Sequence, residues 1–139
     1  MLYFASRSEN IEKIIIPNYK KKIILIDRFV DSTLAYQYYS MGINKNFINI
    51  INKNLLGKIK IDYTFLHIVN TKNMKLRLSK RKKLNRYDSF NMSFYRKAQN
   101  GFIKIANSNK KKYMIVDGNK NISDNKFLIL NKIIKLLKD

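Results

Sequence analysis

Apolar positions along the chain follow two spacings in turn. Over residues 2–16, Phe4, Ile11, Ile14 and Ile15 recur at helical intervals, and Pro17 predicts the end of that helix. Residues 23–26, Ile-Ile-Leu-Ile, form a short continuous apolar run that stops at Asp27-Arg28. Such a run predicts a strand buried on both faces, as in a parallel sheet. Asp31-Ser32-Thr33 predicts the start of a second helix through Leu34, Tyr36 and Tyr39, and Phe47, Ile50, Ile51 and Leu55 predict a third. Tyr63–Val69 reads as a second strand, residues 71–82 as a helix ending in basic residues, and Phe94, Ala98, Phe102 and Ile105 as one face of a long helix. Tyr113–Val116 reads as a third strand, closed by Asp117-Gly118. Ser123 is a candidate N-cap for a last helix, with Phe127, Leu130, Ile134 and Leu137 along one face.

Strands alternating with helices predict an α/β layered fold with a parallel sheet. The 139 residues suit one domain over 1–139, and no repeat, linker or low-complexity segment divides it. Apolar residues make up 45% of the chain, too many for a disordered tail. No apolar run approaches the ~20 residues of a membrane-spanning helix, so no membrane partner is expected. The first residues lack the pattern of a signal peptide, which makes the cytoplasm the expected location. Without Cys, disulfides and thiolate metal sites are excluded. The single His67 falls in an apolar run and is expected to be a packed strand residue rather than a ligand.

The formal net charge of +20 points to an anionic partner: nucleotide, nucleic acid or membrane surface. Its make-up argues for a second source. Of the 29 basic residues 23 are Lys, alongside many Asn, Ile and Tyr and few Gly or Pro, which is the codon bias of an AT-rich genome. A nucleic-acid reader more often uses Arg, whose planar fork matches phosphate and guanine, so no specific nucleic-acid partner is expected.

The candidate chemistry starts at Asp27-Arg28. In open α/β sheets ligands bind beyond the carboxyl ends of strands. An Arg there can clamp a phosphate, and an Asp can orient a substrate group or a water on Mg²⁺. The same dipeptide also serves as a plain surface ion pair.

The longer string Asp27-Arg28-Phe29-Val30-Asp31-Ser32-Thr33-Leu34-Ala35-Tyr36-Gln37 resembles the Asp-Arg-Tyr/Phe…Ser-Thr-x-Ala-Tyr-Gln signature of bacterial thymidylate kinases. Leu2-Tyr3-Phe4-Ala5-Ser6-Arg7 resembles the helix that precedes it in that family, and Tyr63-Thr64-Phe65-Leu66 a later strand. Leu84-Asn85-Arg86-Tyr87-Asp88 resembles the lid segment, Phe94-Tyr95-Arg96-Lys97 with Gly101-Phe102 the helix after it, and Ile115-Val116-Asp117-Gly118 the last strand. The matches run in order over essentially the whole chain.

This resemblance implies a P-loop kinase-type, nucleoside monophosphate kinase fold of three layers, with its N-terminal strands missing. It implies an enzyme that moves the γ-phosphoryl of ATP to dTMP, with ATP, dTMP and Mg²⁺ as partners. Arg28 would bind the dTMP phosphate and oppose developing charge, with Asp27 orienting the phosphate or a Mg²⁺-bound water. The competing role for Asp27 is an ion pair that holds Arg28. Tyr3 would stack on thymine, or serve as core like Phe4, and Arg7 would reach the base's exocyclic oxygen. Thr33, Tyr36 and Gln37 would line base and sugar, Tyr36 favouring deoxyribose. Lys80, Arg81, Lys82, Lys83 and Arg86 would form a cationic lid over ATP at about residues 80–88, against the competing reading of a solvated helix end. No direct metal ligand is assigned within the chain. A homodimer through helices is the family's common assembly.

Some residues depart from that pattern. Tyr38, Ser40 and Met41 stand where the family often has Gly, Gly and Arg, Asn85 replaces a lid Asp, and Ile68 replaces an acidic residue. The phosphate-cradling Gly-x-x-x-x-Gly-Lys-Ser/Thr string is absent, since Gly57-Lys58 has Asn52 and Ile59 at the required Gly and hydroxyl positions. The resemblance therefore leads us to expect a chain truncated at its N-terminus, poorly stable and inactive alone: a truncated gene product, a misplaced start, or one half of a split protein whose partner is an N-terminal fragment. The alternatives are a degenerate nucleotide-binding fragment and a basic nucleic-acid-binding protein.

Overall fold

A computed structural model describes residues 2–81 and 90–138 of the chain. Helix α1 spans 2–18. It begins as a regular helix, Leu2–Asn10, widens to π winding over Ile11–Ile15, and closes with Ile16–Asn18. Pro17 therefore lies inside the last turn rather than just beyond the helix. A proline ring collides with the carbonyl four residues back, here that of Lys13, and the π stretch around Lys13 gives it room. Helix α2 spans 30–40, regular over Val30–Thr33 and π-wound over Leu34–Ser40, where Met41 N–H donates to the Tyr36 carbonyl at 3.1 Å.

Helix α3, Lys45–Leu56, is capped by the Asn44 side chain, which accepts from Phe47 N–H. Its buried residues are Ile48 and Asn52, whereas Phe47 and Ile50 are exposed. The helix forms where the apolar spacing predicts it, but it is turned so that only part of the expected face meets the core.

Strands β1, Thr64–Ile68, and β2, Tyr113–Asp117, pair in parallel from Thr64↔Tyr113 to Ile68↔Asp117. Between them come helix α4, Thr71–Ser79, and helix α5, Met92–Ser108. A parallel pair needs such a crossover, because a tight turn cannot return the chain to the same end. Helix α6, Ile122–Leu136, follows β2, and Asn121 rather than Ser123 caps it, accepting from Asp124 N–H at 2.8 Å. The face of Phe127, Leu130, Ile134 and Leu137 is exposed.

The run 23–26 forms no strand, contrary to the sequence expectation. Leu25 is 81% exposed and Ile23 65%. A strand is defined by its hydrogen-bonded neighbour, and among the described residues the sheet is β1 and β2 alone. His67 is in β1 as expected, but its side chain is exposed rather than packed.

The described core lies mainly among helices. Ile11 and Ile15 of α1, Val30 and Ala35 of α2, Ile48 of α3, and Phe94, Ala98 and Ala106 of α5 are buried, with Val116 as the contribution of the sheet. Helices α2 and α5 meet most closely. The Tyr36 ring stacks on Phe94 at 5.8 Å and meets Phe102 edge-on at 5.9 Å. Gly101 permits that approach, because a Cβ there would sit 2.6 Å from Tyr39 Cδ2 and 2.8 Å from Tyr39 Cβ. The ring's own Cβ cannot swing aside, so Gly101→Ala must push the helices apart. We expect the substitution to cost about 1–3 kcal/mol, an overpacking penalty. Urea unfolding of the two chains, compared at equal concentration, checks it, and an unchanged midpoint would contradict this account of the helix contact.

Candidate functional site

Arg28 follows the apolar run and precedes α2, and its backbone is left-handed at φ 62°. Left-handed backbone is uncommon for a residue with a Cβ and survives where neighbours hold it. Three residues after it are held. The Phe29 carbonyl accepts from Arg7 Nη2 at 3.2 Å and from Ser32 N–H at 3.1 Å. Val30 is buried. Asp31 accepts from the Tyr113 hydroxyl at 2.7 Å. The Arg28 side chain lies over the Tyr36 ring, 5.6 Å from its centre, and donates from Nη1 to the Tyr36 hydroxyl at 2.7 Å. Arg28 is itself exposed.

Arg7 is the second cation. It leaves the last turn of the first stretch of α1 and reaches two other helices. Nη1 donates to Thr33 Oγ1 at 2.9 Å and to Asn52 Oδ1 at 3.5 Å. Its guanidinium also faces the rings of Phe4 and Phe29 at 5.8 and 5.5 Å. Burial holds its pKa below the usual value, and an Arg starts so high that the charge persists. Thr33 and Asn52 are the buried polar residues of the described core, and Arg7 satisfies both.

The expected residues thus fall into two contact sets joined by α2: Arg7 with Thr33, and Arg28 with Tyr36. Tyr3 is exposed one turn before Arg7, but the ring that Arg7 faces on its own helix is Phe4. Gln37 follows Tyr36, and its carbonyl accepts from Ile43 N–H at 2.9 Å. Asp27 is exposed and makes no ion pair with Arg28 among the described residues, so the competing expectation of a holding pair is not met there. A separate groove of about 270 Å³ opens at the carboxyl ends of β1 and β2, lined by His67, Arg77, Gly118, Lys120 and Lys126 among others. Arg77 Nη2 donates to the Gly118 carbonyl at 2.6 Å on its rim.

Comparisons with known proteins show the family. The thymidylate kinase family profile matches residues 1–129. The chain belongs to the thymidylate kinase family. The thymidylate kinase of Acholeplasma laidlawii is 33% identical over 139 residues, covering 99% of this chain and 68% of that protein. That of a Wolbachia symbiont of Brugia malayi is 40% identical over 108 residues, covering 76% of this chain and 50% of that protein. The crystal structure of thymidylate kinase from Ehrlichia chaffeensis superimposes with a TM-score of 0.66 at 31% identity, over 99% of this chain and 62% of that one. The chain therefore spans about half to two-thirds of the length of these relatives.

Within this thymidylate kinase family member, Lys80 and Arg81 are exposed at the end of α4, with Arg81 N–H donating to the Leu78 carbonyl. Lys82, Lys83 and Arg86 of the expected lid lie outside the described residues. Sequence reading missed Asn52, Asp31 and Tyr113. Asn52 carried a signal: a polar residue at helical spacing from Ile48 on the inward face of α3 needs a buried partner. The pair Asp31 and Tyr113 is 82 residues apart and carried none. Burial, partly offset by the Tyr113 hydrogen bond, raises the Asp31 pKa above the ordinary carboxylate value. The folded chain therefore binds more protons than the unfolded chain between those two values, and stability falls as pH rises through that window. Asp31→Asn, which keeps an oxygen acceptor for Tyr113, should flatten this part of the curve. Urea midpoints measured across acidic pH check the slope, and identical slopes in the two chains would contradict it.

Proposed function

We propose that this chain supplies the monophosphate site and lid of a cytoplasmic thymidylate kinase, which moves the γ-phosphoryl of ATP to dTMP. In that reaction a dTMP phosphate oxygen forms the new bond to the γ-phosphorus as the bond to the β-bridging oxygen breaks, giving dTDP and ADP. The observation that carries the reading is Arg28, a left-handed cation laid over Tyr36 at the start of the signature helix, in a chain of this family. Arg28 grips the dTMP phosphate and offsets the charge that gathers during transfer. Arg7 and Thr33 form the wall toward the base, with Tyr3 stacking on thymine, while Tyr36 and Gln37 face the sugar. The lid over residues 80–88, with Lys80, Arg81, Lys82, Lys83 and Arg86, closes over ATP and excludes water.

Mg²⁺ supplies charge neutralisation on the phosphates when bound, and it keeps several of its waters beside one or two carboxylates. Asp27, an exposed carboxylate, would orient the dTMP phosphate or one of those waters rather than hold the ion directly. The groove at the ends of β1 and β2, rimmed by Arg77, Lys120 and Lys126, fits an anionic nucleotide at the place where open sheets receive ligands. No P-loop string occurs in the 139 residues, so the cradle for the ATP phosphates comes from another polypeptide segment. A strand of that segment would cover the exposed run 23–26. Self-association through helices is the second assembly the reading includes.

Binding and turnover separate on this reading. The chain should bind dTMP more tightly than thymidine, and Arg28→Ala should remove roughly 2 kcal/mol, the scale of a hydrogen bond to a charged group. Calorimetric titration of both ligands checks it. Equal affinity for dTMP and thymidine, unaltered in Arg28→Ala, would defeat the assignment. A coupled assay on the chain alone with dTMP, ATP and Mg²⁺ should show no turnover, and clear turnover would refute the need for a second segment.

A further inference from the structure

The left-handed turn at Arg28 is held from its carboxyl side. On the amino side, residues 23–26 have no strand neighbour among the described residues and are largely exposed. The Arg28 side chain is itself pinned to Tyr36, and its backbone is further restrained through residues 29–33. One of these restraints, the Arg7 bond to the Phe29 carbonyl, belongs to the site already described. Another comes from the far end of the chain. The hydroxyl of Tyr113, the first residue of β2, donates to Asp31 Oδ2 at 2.7 Å, three residues after Arg28.

Tyr113 opens β2 beside its register partner Thr64 of β1. Its bond to Asp31 ties the amino end of the sheet to the first turn of α2. Asp31 and Tyr113 are both partly buried, so water competes poorly for the bond.

We propose that Tyr113, acting through Asp31, is a positioning residue for Arg28. It ties the start of α2 to the sheet, and the turn that presents Arg28 to a nucleoside monophosphate's phosphate stays left-handed because of that tie. The presentation rests on the dTMP-binding reading of Arg28. The backbone effect does not, which makes the two separable.

The test uses the full 139-residue chain and two readouts. Left-handed backbone brings a residue's amide proton close to its own Hα, so Arg28 should give a strong intraresidue cross-peak by NMR. Tyr113→Phe removes the donor, and the cross-peak should weaken to that of an ordinary residue. In the same variant dTMP should bind roughly tenfold more weakly while thymidine binds as before, because the loss falls on the phosphate contact. Asp31→Asn on its own, with Tyr113 intact, keeps an oxygen acceptor for the phenol and should leave both readouts near the parent values. Should Tyr113→Phe fail to fold, the double variant Asp31→Leu/Tyr113→Phe replaces both partners by apolar groups and leaves no orphaned carboxylate. It should fold with the cross-peak lost. A strong cross-peak in folded Tyr113→Phe or in the double variant would overturn the proposal, as would equal losses of dTMP and thymidine affinity. If dTMP fails to outbind thymidine in the parent chain, the binding reading falls, and the cross-peak alone still decides the tie.

Discussion

A left-handed arginine backbone costs of order 1–3 kcal/mol, and the candidate site is organised around one. Arg28 takes φ 62° at the point where the apolar run ends and α2 begins. That turn lays the guanidinium over the Tyr36 ring, eight residues on, instead of along the run. The strain is met by restraints on the next few residues, which come from α1, from β2 and from the turn itself. Each restraint is polar and directional, so the geometry is specified rather than merely tolerated. The π winding of α2 belongs to the same arrangement. It shifts the helix phase midway, so that Thr33 can face Arg7 while Tyr36 packs on Phe94 of α5.

Arg7 shows how a cation can be held between helices without an acidic partner among the described residues. Its acceptors are a hydroxyl, an amide oxygen and a backbone carbonyl, all neutral. Three hydrogen bonds are thus made while the charge is not cancelled. A neutral cradle of this kind leaves positive potential available to an anion. The large net charge of the chain adds to that potential only diffusely, because most of it is surface Lys screened by salt.

Much of the fold is legible in the sequence, and the failures have physical reasons. The parallel strands β1 and β2 and the long helix α5 appear where apolar run and apolar period place them, because local pattern and tertiary partner agree. The run 23–26 is equally apolar, yet a strand needs a neighbour that the run does not name. The facing of α3 was hidden because Phe47 and Ile50 are as apolar as Ile48, and only packing chooses among them. Both π stretches escape a reading built on the 3.6 period. At the site, the family signature names Arg7, Arg28, Thr33 and Tyr36, but the contacts of Arg28 with Tyr36 and of Arg7 with Thr33 come only from packing. The Asp31–Tyr113 bond joins positions far apart in the chain, and neither residue type signals its partner.

The account turns on where the Arg28 guanidinium goes when a nucleotide arrives. The most direct measurement follows its side-chain Nε–H resonance in the labelled chain during separate titrations with dTMP and thymidine. The account predicts a saturable shift with dTMP, as the guanidinium exchanges the Tyr36 hydroxyl for phosphate oxygens, and little change with thymidine. A resonance that stays in place while dTMP binds elsewhere on the chain would contradict it.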